Sequence, residues 1–160
     1  MVDADLPGVR RDNFVAVDGS RGAHLQLDSV LVANDQVLGM VDHGLPLMEE
    51  VINFAIVAMG GEALGAMQAL LDATVEYTKT REQFGQPISK FQALQHRMAE
   101  MYMKVEETRS LFLNAAIQLD ADSDEATAAC AALKVKVSEA GRYVAQQAVQ
   151  LHGGIGMTDE

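Results

Sequence analysis

The stretch Thr80-Arg81-Glu82-Gln83-Phe84-Gly85-Gln86-Pro87-Ile88-Ser89-Lys90-Phe91-Gln92 separates two long segments in which apolar residues recur at helical spacing. Gly85 and Pro87 interrupt that spacing and predict a tight reversal that sets two helices antiparallel. On the N-terminal side, residues 46–80 predict a helix ~50 Å long, with Pro46 in its first turn. Its broad inward face reads Ile52, Ile56, Met59, Ala63, Ala66, Met67, Leu70, Thr74 and Tyr77. Gly60-Gly61 and Gly65 predict a kink or a close approach by a neighbour. On the other side, Ser89 is the expected N-cap of a helix reaching Leu119. Leu94, Met98, Met101, Tyr102, Val105, Phe112, Ala115 and Leu119 point inward there, with Glu100 and Lys104 as an outer i,i+4 pair. The turn Asp120-Ala121-Asp122-Ser123-Asp124 caps a third helix over 125–151, its basic residues Lys134, Lys136 and Arg142 lying beyond the acidic start as the helix dipole favours.

Ahead of the helices, residues 13–18 and 23–31 predict two strands joined through Gly19-Ser20-Arg21-Gly22. Leu25, Leu27 and Leu31 alternate with His24, Gln26 and Asp28, the pattern of a strand covered on one side. Two strands are marginal alone, so this piece reads as the trailing edge of a larger sheet. The expected fold is mainly α: an up-down antiparallel helical bundle preceded by a short β-hairpin remnant. Residues 1–39 are assigned to the sheet remnant and 40–160 to the bundle, whose fourth helix is expected to start at Thr158-Asp159-Glu160.

The 160 residues carry 12 Lys and Arg against 23 Asp and Glu, a net charge of −11, with 49% hydrophobic and 22% charged residues. This composition is that of a globular chain, and its acidic balance excludes nucleic acid as a general partner. Between Lys79 and Arg97 the sign reverses: Lys79, Arg81, Lys90 and Arg97 face a single acid, Glu82. An anion is drawn to this segment and repelled elsewhere. On chemistry alone two readings stand, a solvated helix–helix loop or an anion-binding corner in which Arg81 forks onto phosphate and Gln83 and Gln92 offer amides. The single cysteine, Cys130, lies in an alanine run and reads as a small buried thiol. No apolar run approaches the ~18 residues of a membrane span, no basic leader precedes an apolar core, and a cytoplasmic protein is expected.

Gln150-Leu151-His152-Gly153-Gly154-Ile155-Gly156 is a second candidate, a glycine loop able to turn backbone N–H groups toward phosphate. It follows a helix instead of a strand and lacks a third glycine, which excludes a dinucleotide fingerprint of the Rossmann kind. No histidine has glutamate three residues before it, which excludes a di-iron bundle, and there is no nucleophile elbow and no His-Glu-x-x-His. No metal site is expected, and any chemistry must be carried by a cofactor.

These two motifs, Thr80 to Ile88 with Phe91-Gln92 and Gln150 to Gly156, resemble the flavin-contacting signatures of acyl-CoA dehydrogenases. Ala4-Asp5-Leu6-Pro7-Gly8-Val9 and Leu27-Asp28-Ser29-Val30 are similar to the end of that family's middle β-domain. The likeness is nearest to the bacterial branch typified by the small subunit of pimeloyl-CoA dehydrogenase. The resemblance implies FAD as cofactor, with Arg81 at the pyrophosphate, Gln83 and Phe84 beside the adenosine half, and Gln92 hydrogen-bonded to the cofactor. It further implies that Gln150, Leu151, His152, Gly153 and Gly154 meet an FAD bound mainly by the neighbouring subunit, the two motifs acting from opposite protomers of a homodimer, tetramer or hetero-oligomer. Acyl-CoA would be the substrate and an electron-transfer flavoprotein the electron acceptor: a base takes the α-proton, flavin N5 takes the β-hydride, and a trans-2-enoyl-CoA leaves. The family's glutamate base would lie beyond Glu160, or else at the position of Ala55, where alanine has no proton acceptor. The basic residue usual in the family at the place of Ile56 is also missing, which bears on the CoA contacts. The 160-residue chain alone is therefore expected to be inactive, and a non-catalytic subunit that completes a flavin pocket is the alternative role.

Overall fold

The computed structural model describes residues 2–158, in two compact units, Met1–Met48 and Glu49–Glu160. The boundary between them falls later than the expected division at residue 39.

In the first unit, β1 (Val9–Val15) pairs antiparallel with β2 (Arg21–Leu27), Val9 opposite Leu27 and Phe14 opposite Gly22. The strands lie earlier in the chain than the alternation predicted, and Leu31 lies outside them. The turn sets the register: Ser20 N–H donates to Asp18 Oδ1 at 2.9 Å, and Ala16 N–H to the Ser20 carbonyl at 2.9 Å. Leu25 and Leu27, expected on a covered face, are exposed among the described residues.

The second unit is built on three helices, α1 (Gly44–Thr80), α2 (Gln92–Asp120) and α3 (Ala126–His152). Each buries a seam that advances by alternating steps of four and three residues. In α2 it runs Leu94, Met98, Met101, Val105, Thr108, Phe112, Ala115, Leu119, and in α3 from Ala126 through Cys130, Leu133, Ala140 and Val144 to Leu151. This is the 3.5-residue repeat of closely packed antiparallel helices. Met101, Val105, Leu133 and Val144 are fully buried, each contributing ~1.5 to 3 kcal/mol by removal from water.

The seam of α1 is Asn53, Val57, Gly60, Leu64, Met67, Leu71, Thr74 and Thr78. Of the expected inward face only Met67 and Thr74 lie on it, and Ile52 and Met59 are exposed. Half of the seam is polar or lacks a side chain, so hydrophobicity pointed one residue to the side. The polar members find partners: Asn53 Nδ2 donates to Thr127 Oγ1 at 3.0 Å, Thr74 Oγ1 to the Leu70 carbonyl, and Thr78 Oγ1 to the Val75 carbonyl. α1 runs unbroken through Gly60-Gly61, and the close approach is the outcome that holds. A Cβ on Gly60 would stand 2.9 Å from Leu133 Cδ2.

A polar ladder joins α2 to α3. Arg97 Nη1 donates to Gln147 Oε1 at 2.8 Å, Tyr143 to Glu100, Lys104 Nζ to Glu139 Oε1 at 2.8 Å, and Lys136 to Glu107. Glu100 and Lys104 therefore reach across to α3 in place of the expected pairing along α2. Cys130 is fully buried, which pushes its thiol pKa up and leaves it unreactive. One expectation needs correction: by length and composition α1 could cross a membrane, with an 18-residue window of mean hydropathy 1.5. Of that window 22% is buried, and its inner stripe meets α3 where Gly60 approaches Leu133.

Candidate functional site

The last turn of α1 leads directly into the basic corner. Arg81 N–H donates to the Tyr77 carbonyl at 2.8 Å, and the Arg81 carbonyl accepts from Ile88 N–H at 2.8 Å, so the Arg81 backbone is pinned on both sides. Between these bonds the chain forms a two-residue hairpin, β3 (Glu82–Gln83) against β4 (Gln86–Pro87). Its turn residues Phe84 and Gly85 have φ of 56° and 79°, the two positive values of a type I′ turn. Positive φ is costly for a bulky residue. Phe84 adopts it with its ring 90% exposed and edge-on to Phe91, centroids 6.0 Å apart. The expected Ser89 cap is not used: a 3-10 turn (Ile88–Lys90) intervenes, Phe91 is the N-cap of α2, and the Ser89 carbonyl accepts from Gln95 Nε2 at 2.9 Å.

The second motif ends α3. Leu151 is buried, His152 is the final helical residue, and Gly153 turns the chain at φ 65° and ψ −136°, a conformation that side chains disfavour. A 3-10 turn (Gly153–Met157) forms the glycine loop; of the fourth-helix start expected at Thr158-Asp159-Glu160, Asp159 and Glu160 lie outside the described residues.

Both motifs of one chain line one pocket of about 650 Å³. Tyr77 comes from α1, Arg81, Gln83 and Ile88 from the corner, and Leu151, His152, Gly153, Gly154, Ile155 and Thr158 from the other side. Its size is that of a small-molecule site. Arg81 is exposed and has no acidic partner among the described residues, so its full charge is available. The two halves are locked together by Tyr77, whose ring stacks on His152 at 4.4 Å between centroids and 24° between planes, with Tyr77 Oη donating to the His152 carbonyl at 3.4 Å.

Of the expected contact residues, Arg81, Gln83, Leu151, His152, Gly153 and Gly154 are thus brought together, whereas Phe84, Gln92 and Gln150 are not among the lining residues. Both motifs of one protomer line this pocket, whereas the resemblance sets them to act from opposite protomers. Tyr77 was read only as an inward residue of α1; its position four residues before Arg81, at a helix end and with a hydroxyl needing a partner, was the available signal. Ala55 is exposed and lines a separate groove of about 410 Å³ between α1 and α3 with Ile52, Met59 and Lys134, and among the described residues no acid lines that groove.

The family model described as "Acyl-CoA dehydrogenase, C-terminal domain" matches residues 42–160. The mitochondrial isovaleryl-CoA dehydrogenase of Solanum tuberosum is 33% identical over 142 residues, which cover 89% of this chain and 34% of that protein. Two solved structures superpose over 98% of this chain and 42% of theirs. Butyryl-CoA dehydrogenase from Megasphaera elsdenii does so with a TM-score of 0.86 at 28% identity, and "PigA with FAD and proline" with 0.93 at 25%. The chain therefore spans well under half the length of these relatives. A bundle of this topology, ending two of its helices in these two motifs and matched by the family's C-terminal domain across both, belongs to the acyl-CoA dehydrogenase family.

Proposed function

We propose that this chain forms the flavin-binding corner of an FAD-dependent acyl-CoA dehydrogenase, which oxidises an acyl-CoA to a trans-2-enoyl-CoA. The observation that carries the reading is an unpaired guanidinium, Arg81, sharing a pocket with the Gly153–Gly154 turn of the same chain. The residues fit the diphosphate and adenosine side of FAD: a fixed cation, the Gln83 amide, and glycines that let a ligand approach the backbone closely. Bound FAD would supply the two-electron acceptor that no side chain of this chain can provide. Arg81 would hold the diphosphate, Gln83 would orient the nucleotide through its amide, and the Tyr77–His152 stack would keep the two halves of the pocket at a fixed separation.

Acyl-CoA as substrate, an electron-transfer flavoprotein as acceptor and assembly into a homo- or hetero-oligomer belong to the same proposal. A second reading, a partner subunit that completes a flavin pocket without abstracting a proton, is favoured by one observation. Ala55 and its groove present no carboxylate. Binding of an FAD fragment to the chain and to Arg81→Ala tests the first reading. Turnover of acyl-CoA by the complete protein, purified without a partner, separates it from the second: flavin retention without turnover would select the partner-subunit role.

A further inference from the structure

His152 is held in one orientation by three contacts. Its ring stacks on Tyr77, its carbonyl accepts from Tyr77 Oη, and its Nδ1 lies 2.8 Å from the Ala148 carbonyl. A carbonyl oxygen only accepts, so Nδ1 carries a proton in the neutral and in the charged ring alike. The neutral ring then has its lone pair on Nε2, and Nε2 makes no hydrogen bond among the described residues. The ring lines the same pocket as Arg81.

That tautomer decides what His152 does to an anion. An ionised phosphate oxygen is an acceptor and is repelled by the Nε2 lone pair of the neutral ring. Against the imidazolium it gains a charge-assisted hydrogen bond from Nε2–H. We infer that His152 is a proton-gated positioning residue, which engages the diphosphate of the bound nucleotide only as imidazolium, so that binding takes up a proton. The inference rests on the nucleotide reading of this pocket. Among the described residues, Tyr77, from α1, and Arg81, from the corner, are the other titratable or charged side chains lining it, and neither type changes charge between pH 5 and 8. His24, His43 and His96 do not line it.

The sign follows from linkage. A ligand that prefers the protonated ring raises the pKa of His152, so affinity is highest at acid pH and falls as pH rises through the interval between the free and bound values. It changes by ~10-fold for each unit by which the ligand raises that pKa. A ligand that met Nε2 with a hydroxyl or amide donor would show no such dependence.

The probe is ADP-ribose, a diphosphate diester whose own charge is constant over this range, added to the 160-residue chain. Calorimetry from about pH 5 to about pH 8.5 reads the affinity, and nitrogen chemical shifts of the His152 ring read its titration directly. The expected result is a raised His152 midpoint with ligand and an affinity that drops by ~10-fold or more across the range. In His152→Phe, which keeps a ring to stack on Tyr77 and removes both nitrogens, the affinity becomes flat with pH. The shift measurement on the parent chain needs no variant and stands even if His152→Phe fails to fold. ADP-ribose that perturbs the Gly153 and Gly154 amides while the His152 titration stays in place and the affinity is flat overturns the proton gate and leaves the nucleotide site standing. ADP-ribose that leaves those amides untouched, with Arg81→Ala indistinguishable from the parent, overturns both.

Discussion

Replacing Arg81 by alanine removes the one permanent cation among the residues that line the pocket. The loss is calculable because the side chain has no acidic partner to leave behind, so the effect on binding is that of the missing contact alone. A single charge-assisted hydrogen bond is worth ~1.5 kcal/mol at the low end, a bidentate fork ~3 kcal/mol. These correspond to ~10-fold and ~100-fold in dissociation constant. The pocket is open and Arg81 exposed, which places the expectation nearer ~10-fold at physiological salt, shrinking further as salt is added. Arg81→Lys keeps the charge and loses the fork, and falls between. The fold is expected to be indifferent to both changes, within ~0.5 kcal/mol, because the position is held by its backbone bonds to Tyr77 and Ile88 and not by its side chain. Calorimetric titration of ADP-ribose against the parent and the two variants, with thermal unfolding of each as control, is the assay. Equal affinity of parent and Arg81→Ala at low salt, with both proteins folded, refutes the assignment of this corner as an anion site.

Gly153→Ala forces a side chain into φ 65° and ψ −136°, a strain of ~1 to 3 kcal/mol. It is expected to lower the melting temperature and weaken ADP-ribose together, which scanning calorimetry and titration read in one preparation. Leu133→Ala empties a fully buried position beneath Gly60 and should cost ~2 to 5 kcal/mol in urea unfolding without altering the pocket. The α2–α3 ladder predicts a pH profile. Lys104 hydrogen-bonded to Glu139, and Lys136 to Glu107, hold both carboxyls below their usual range, while Glu139 holds Lys104 above its own. The carboxylate contribution is therefore complete above their unfolded pKa, ~4.3, and lost as pH falls through the depressed folded values. That of Lys104 is complete below ~10.4 and lost as pH rises through its raised one. Glu139→Gln should flatten the acid limb measured by thermal unfolding below about pH 4.3, with the ladder's effect reduced by salt, as for any exposed pair.

How far the sequence specified this bundle differs from helix to helix. In α2 every apolar member of the buried seam, from Leu94 to Leu119, was legible from spacing; Thr108 escaped because its hydroxyl is satisfied by the Lys104 carbonyl of its own helix, and Tyr102, expected inward, is exposed. In α1 spacing misled, since Asn53, Gly60, Thr74 and Thr78 occupy the inner stripe while Ile52 and Met59 face outward. No hydrophobic count can find a seam whose partners are hydrogen bonds and a close-approach glycine. The corner was legible as a turn and as a cluster of charge. Its hairpin was not, because a positive φ at Phe84 contradicts local preference and is imposed by the bonds flanking it at Arg81. The Tyr77–His152 stack joins residues 75 apart in sequence and has no local signature at all.

Asn53 meets Thr127 near the starts of α1 and α3, and Tyr77 meets His152 at their ends, so these two helices run side by side in the same direction. Both therefore aim their carbonyl ends at the pocket, each bringing about half an elementary negative charge. An anion arriving there meets a field opposite to the one that greets phosphate at the start of a helix. Arg81, just past the last turn of α1, sets a full positive charge against that field. The attraction this corner holds for an anion is therefore carried by side-chain charge and not by the helix ends.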